Sequence, residues 1–94
     1  MADLTAQTST RELRTRSGLT WIAQRLAGFR PDDPMTDNAR EQAARRYALD
    51  TYRDDQVASR VMWDLRDALP PIRSTDTRAE YAARVHLIVQ EVAQ

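Results

Sequence analysis

The sequence predicts an all-α protein, a small three- or four-helix bundle that is either complete in itself or completed by homodimerisation. Two glycines and four prolines are the only strong helix breakers in the 94 residues, and they divide the chain into three blocks. Apolar residues in each block recur three and four positions apart, which is the helical period. No segment alternates apolar and polar residues with the β-branched content of a strand.

The length predicts one helical domain over residues 9–94, after a flexible polar tail over residues 1–8. A chain this short buries only about 60–65 % of its unfolded surface. A second copy is one way to enlarge such a core, and this is why homodimerisation belongs to the prediction.

The first helix is expected over residues 9–28. Either Ser9 or Thr10 can cap its beginning, and Gly28 is a natural residue just past its end. The apolar positions on one face of this helix are Leu19, Ile22, Ala23, Leu26 and Phe29.

Gly18 interrupts this first block and leaves two interpretations open. One helix can tolerate the glycine at a cost of about 1 kcal/mol. Alternatively, a short helix ends at Gly18 and Thr20 caps a new one.

The second block, residues 36–69, contains no glycine and no proline, and Pro70 ends it. Its apolar residues keep one phase throughout, so we favour one long helix of about 50 Å. The alternative is a break near residues 53–55, because Asp54 and Asp55 would otherwise bring carboxylates into the core and Asp54 can cap a new helix. The predicted core positions are Ala44, Tyr47, Ala48, Ala58, Val61, Met62, Leu65 and Leu69.

The third helix is expected over residues 76–93. Thr77 and Glu80 have the spacing of a capping box, in which each side chain binds the backbone N–H of the other residue. The apolar stripe of this helix is Tyr81, Val85, Ile88, Val89 and Val92.

Composition excludes several kinds of chemistry. Fourteen arginines balance fourteen acidic residues and lysine is absent, so no global field attracts nucleic acid or a membrane. The chain has no cysteine, and its single histidine, His86, cannot make a typical zinc site alone. We therefore expect no catalytic residue, no metal and no cofactor, with cytoplasmic residence. An all-arginine cation set is typical of a GC-rich genome, and we expect a bacterial or phage source.

The candidate binding surface lies on the second block. On one continuous helix, Arg46, Arg53 and Arg60 recur every seven residues, about 10.5 Å apart, opposite the core face. Trp63 lies on the same face. Arg45 and Leu49 lie at its edge.

This surface predicts a small non-enzymatic protein–protein interaction module, such as an adaptor, a regulatory subunit or an inhibitor. Trp63 would enter a partner pocket while the arginines bind acidic groups in bidentate fashion. The partner is another protein with an acidic or apolar surface, or a second copy of this chain. The alternative is a solvated face with intrahelical pairs such as Arg60–Asp64. The second tryptophan, Trp21, is expected in the core.

One segment, Leu13 to Gly28, resembles the first two helices of phage-repressor-type helix-turn-helix domains. It contains an arginine-rich start, a turn at Gly18-Leu19-Thr20 and a closing glycine. The resemblance implies a DNA-binding regulator with a recognition helix directly after Gly28. This is the main alternative function.

A second segment, Pro34-x-x-Asp37-x-x-Arg40-Glu41, resembles the start of the second helix in the all-α chorismate mutases. The resemblance implies that Asp37, Arg40 and Glu41 face the polar groups of a substrate. Such an enzyme needs a pocket inside the bundle that is lined by several arginines.

Overall fold

The computed structural model describes residues 10–93, and the prediction of an all-α helical bundle is confirmed within them. These residues form no strand, and one isolated antiparallel bridge joins Pro34 to Thr77. The predicted tail over residues 1–8 and the cap Ser9 lie outside the described residues. The helices are α1 (Thr10–Gly28), α2 (Asp37–Thr51), α3 (Asp55–Ala68) and α4 (Arg78–Ala93).

Helix α1 is the central element of the bundle. It packs most extensively against α4 and also contacts α2 and α3, which pack against each other. The predicted apolar faces of all three blocks meet in one core, where Ile22, Leu65 and Tyr81 are completely buried. Met62 is only half-buried, and the side chain of Val92 lies outside those described.

The second block forms two helices, so the favoured prediction of one long helix is wrong. Helix α2 ends at Thr51 and α3 begins at Asp55. The Asp54 carboxylate accepts hydrogen bonds from the backbone N–H groups of Gln56 at 2.8 Å and Val57 at 3.1 Å. The break leaves Asp54 and Asp55 exposed and lets the apolar face of α3 pack beside that of α2.

Helix α1 runs without interruption through Gly18, which decides between the two interpretations of the first block. Its end differs from the prediction. Gly28 is the last helical residue and has no positive φ, whereas Arg30 has a φ of 51°. The chain therefore turns two residues later than expected, and Phe29 is exposed instead of entering the core.

Side chains cap the beginnings of both α2 and α4, and the cap of α4 confirms the predicted capping box. The Thr36 hydroxyl accepts a hydrogen bond from the Ala39 N–H at 3.1 Å. In the predicted capping box, the Thr77 N–H donates to Glu80 Oε1 at 2.9 Å and the Glu80 N–H donates to Thr77 Oγ1 at 3.2 Å. Helix α4 accordingly begins at Arg78, two residues after the predicted position.

Candidate functional site

The helix break divides the predicted Arg/Trp surface into separate parts. Arg45, Arg46 and Leu49 lie on α2, Arg60 and Trp63 lie on α3, and Arg53 lies in the connection between them. All six side chains are exposed. The seven-residue row of arginines required one continuous helix, so the structure does not contain it.

Two of these residues, Arg45 and Leu49, line a groove between α2 and α3. The groove has a volume of about 390 Å³ and is called the α2–α3 groove below. Leu49 is 54 % exposed. Arg45 makes no ion pair within the part of the chain that the structure describes. The full lining is Glu41, Arg45, Ala48, Leu49, Asp55, Ala58, Ser59, Met62 and Arg66.

Trp63 lies beside this groove and forms a cluster with the side chains of Arg66 and Glu41. The Arg66 guanidinium lies 4.4 Å from the centroid of the Trp63 ring, within cation–π range. Arg66 also forms an ion pair with Glu41 of α2, with Nε 2.9 Å from Glu41 Oε2. Arg66, which is paired with Glu41 of α2, thus restrains the side chain of Trp63 on α3. Trp63 is nevertheless 54 % exposed.

Around Trp63, the outward side of α3 carries Arg60 and Asp67, and these three residues are called the α3 face. Among the described residues neither Arg60 nor Asp67 makes an ion pair. The predicted pair between Arg60 and Asp64 does not form, because Asp64 is bound by Arg11 of α1.

The Arg11–Asp64 contact is bidentate. Arg11 Nε donates to Asp64 Oδ2 at 2.8 Å and Nη2 donates to Oδ1 at 2.6 Å. These hydrogen bonds and the charge of Asp64 raise the pKa of Arg11. The contact joins the beginning of α1 to α3 and borders the α3 face.

Arg46 and Trp21 make contacts within the fold. Arg46 pairs with Asp50 at 3.5 Å, as expected for a solvated helix face. Trp21 is half-buried and packs against the core, with its ring 5.7 Å from that of Tyr47. Burial, followed by the neighbouring Tyr52, raises the pKa of Tyr47 to about 12. His86 is half-buried, consistent with a structural histidine.

Arg66 and Met62 are the site residues that sequence reasoning missed. The helical phase of Met62 predicts a core position, and no pattern in the sequence marks Arg66. The pairing of Arg66 with Glu41 gives no sequence signal, since the two residues lie on different helices.

The set Asp37, Arg40 and Glu41 does not line a pocket inside the bundle. Arg40 donates to Asp37 Oδ1 at 3.3 Å and to the Pro70 carbonyl at 3.3 Å, while Glu41 binds Arg66. The contacts of Arg40 and Glu41 join α2 to the end of α3. The geometry that the chorismate mutase resemblance implies is therefore absent from residues 10–93.

The helix-turn-helix geometry is also absent from the described residues. Helix α1 continues through Gly18, where the resemblance requires a turn, and the next helix begins only at Asp37. The intervening residues 29–36 include Asp32 and Asp33, which repel phosphate.

A larger depression, of about 600 Å³, lies between α1, α3 and α4. Its apolar floor includes Leu19, Ala68, Ile88 and Val89. None of these four side chains is an exposed anchor of the kind that Leu49 and Trp63 provide.

No family model, curated protein or solved structure matches this chain. Within the described residues, no group of three or more His, Cys, Asp or Glu side chains is placed to hold a metal ion. None of the four described helices combines the length and apolar character needed to cross a membrane.

Proposed function

We propose that this chain is a small, non-enzymatic, cytoplasmic protein–protein interaction module whose partner docks in the α2–α3 groove. One observation carries the proposal. An exposed leucine, Leu49, adjoins an apolar floor that includes Met62, and the cation Arg45 beside it lacks an ion pair among the described residues.

The groove has the composition of a docking site. Its lining combines four apolar residues, Ala48, Leu49, Ala58 and Met62, with four charged side chains and Ser59. An apolar centre with a polar rim is the usual arrangement of protein interfaces, where a few anchors supply most of the binding free energy. The large exposed leucine favours a partner that removes it from water.

The charges on the rim indicate the chemistry of the partner. Arg66 is already compensated by Glu41, whereas Arg45 can donate to a new carboxylate in bidentate fashion and the exposed Asp55 can bind a new cation. The groove therefore fits an amphipathic segment whose apolar side covers Leu49 and Met62 and whose acidic residue reaches Arg45. An adaptor, a regulatory subunit or an inhibitor would all use such a contact.

A capture experiment in lysate of the native host tests this proposal. The immobilised chain is compared with a double variant, Arg45→Glu with Leu49→Ser, and with the control Leu87→Ser. Leu87 is a matched control because it is 58 % exposed but lies on α4, away from the groove. We expect wild type and control to retain the same protein in stoichiometric amount, and the double variant to lose at least about nine-tenths of it.

Retention of that protein by the double variant would place the binding surface elsewhere. Absence of any stoichiometric partner for the wild type would contradict the proposed function. Circular dichroism of all three chains verifies that they are equally folded.

A further inference from the structure

We infer that the α3 face is self-complementary and binds the α3 face of a second copy, with the two helices antiparallel around a two-fold axis near Trp63. This goes beyond the proposed function, because the α2–α3 groove and the α3 face consist of different residues. Both surfaces belong to the helical hairpin that α2 and α3 form. Three observations carry the inference: the exposed Trp63, the spacing of Arg60 and Asp67 around it, and the absence of ion pairs from both charges within the described residues.

The helical phase places these residues on one surface. At about 100° per residue, Arg60 and Asp67 lie within about 20° of each other on one flank of α3. They are about 10.5 Å apart along the axis, with Trp63 between them. The core residues Val61 and Leu65 point to the opposite side and are buried.

A two-fold axis perpendicular to α3 places the opposite charges of two copies face to face. It reverses the helix direction and keeps the flank, so Arg60 of one copy faces Asp67 of the other. The reciprocal pair forms at the same time, as an isologous interface requires. The two Trp63 rings then meet near the axis, where paired aromatic rings stabilise an interface.

The side chain of Trp63 is already restrained in the monomer. Arg66 stacks on one side of the Trp63 ring and is itself held by Glu41, so the tryptophan loses little freedom on binding. Two other acidic residues, Asp55 and Asp64, lie in the depression that contains Arg60 and Trp63. Asp64 is bound by Arg11, and the charge of Asp67 also contributes to the raised pKa of Arg11 although the two residues form no ion pair. The two-fold axis brings Asp67 of the second copy to Arg60 as its matching anion.

The size of the surface sets the expected strength. One pair of short helices buries less than the roughly 1,200 Å² that is typical of stable complexes. We therefore expect a weak, reversible dimer that forms in the micromolar to submillimolar range and weakens as salt screens the paired charges.

Sedimentation equilibrium of charge-exchanged variants over a concentration series tests the inference. In a dimer of the Arg60→Glu variant, a carboxylate at position 60 faces the Asp67 carboxylate of the other copy, twice. In a dimer of the Asp67→Arg variant, two such pairs of arginines face each other. Each variant alone should raise the dissociation constant by about tenfold or more.

An equimolar mixture of the two variants provides the decisive measurement. Glu at position 60 of one chain then faces Asp67→Arg of the other, and Asp67 of the first faces Arg60 of the second, so association should return. The double variant Arg60→Glu with Asp67→Arg should likewise dimerise alone. The fluorescence of Trp63 should shift to the blue whenever a dimer forms.

The inference is overturned if the wild type stays monomeric throughout the series. It is also overturned if the single variants associate like the wild type, or if their mixture stays monomeric. Leu49→Ser should dimerise normally, and Arg60→Glu should still capture the groove partner. A failure of the α3 face is thereby distinguished from a failure of the proposed function.

Discussion

At the scale of single residues, Gly18 controls how closely the helices approach. A Cβ at this position would lie 2.6 Å from Leu65 Cδ2 and 3.0 Å from Tyr47 Cε2. Leu65 is completely buried and Tyr47 nearly so, so an added methyl group would displace side chains that are packed in the core. The absence of a side chain at Gly18 therefore lets α1 pack directly against α2 and α3.

Gly18→Ala should destabilise the fold although alanine is the better helix former. Overpacking costs about 1–3 kcal/mol, which exceeds the gain in helix propensity of about 1 kcal/mol. Gly28→Ala is the matched control, since no atom lies within 4 Å of its added Cβ and its φ is not positive. Urea denaturation measures both, and equal stability changes for the two variants would contradict the packing argument.

Gly18 also shows the limit of sequence reasoning at this scale. The sequence predicted the cost of a glycine in a helix, because that cost is local. The compensating close approach depends on Leu65 and Tyr47, which lie far away in the chain.

At the scale of elements, Asp54 decides how the second block folds. Its carboxylate caps α3 through two backbone N–H groups. The helix break at this cap produces the α2–α3 hairpin, which contains the groove. The apolar positions of α2 and α3 retain one helical phase, so periodicity alone fits both one helix and two. The exposed acids were the only local sign of the break.

Removing this cap should weaken the hairpin. Asp54→Ala leaves the N–H groups of Gln56 and Val57 without their acceptor and should cost about 1 kcal/mol of unfolding free energy. Asp54→Asn retains an acceptor oxygen and should cost less, which makes it the control. The cap argument fails if alanine and asparagine give the same stability in urea denaturation.

At the scale of the whole molecule, Asp76 joins segments that are distant in the chain. Its carboxylate accepts hydrogen bonds from the Arg73 N–H at 2.8 Å and from the guanidinium of Arg84 on α4. Its backbone carbonyl accepts from the Met35 N–H at 2.9 Å. The residue is 8 % exposed, so this junction lies inside the fold.

These contacts make the stability of the molecule depend on pH. The Arg73 N–H first, and the Arg84 guanidinium after it, hold the pKa of Asp76 below its usual value. A lowered pKa contributes stability that is complete above the unfolded value, about 3.9, and is lost as pH falls through the folded value. Urea unfolding of wild type and Asp76→Asn should therefore differ most near neutral pH and converge in acid. A constant difference between pH 7 and about pH 2.5 would contradict this assignment.

The helical class, the capping box at Thr77 and Glu80, and most of the core face could be predicted from the sequence alone. These features depend on residues within one or two turns of each other, where capping and periodicity act. Tertiary structure alone decided that the second block folds back on itself, that Phe29 stays outside the core and that Arg66 holds Trp63. The physical reason is that these outcomes follow from contacts between separate helices, and such contacts exist only after the chain has packed.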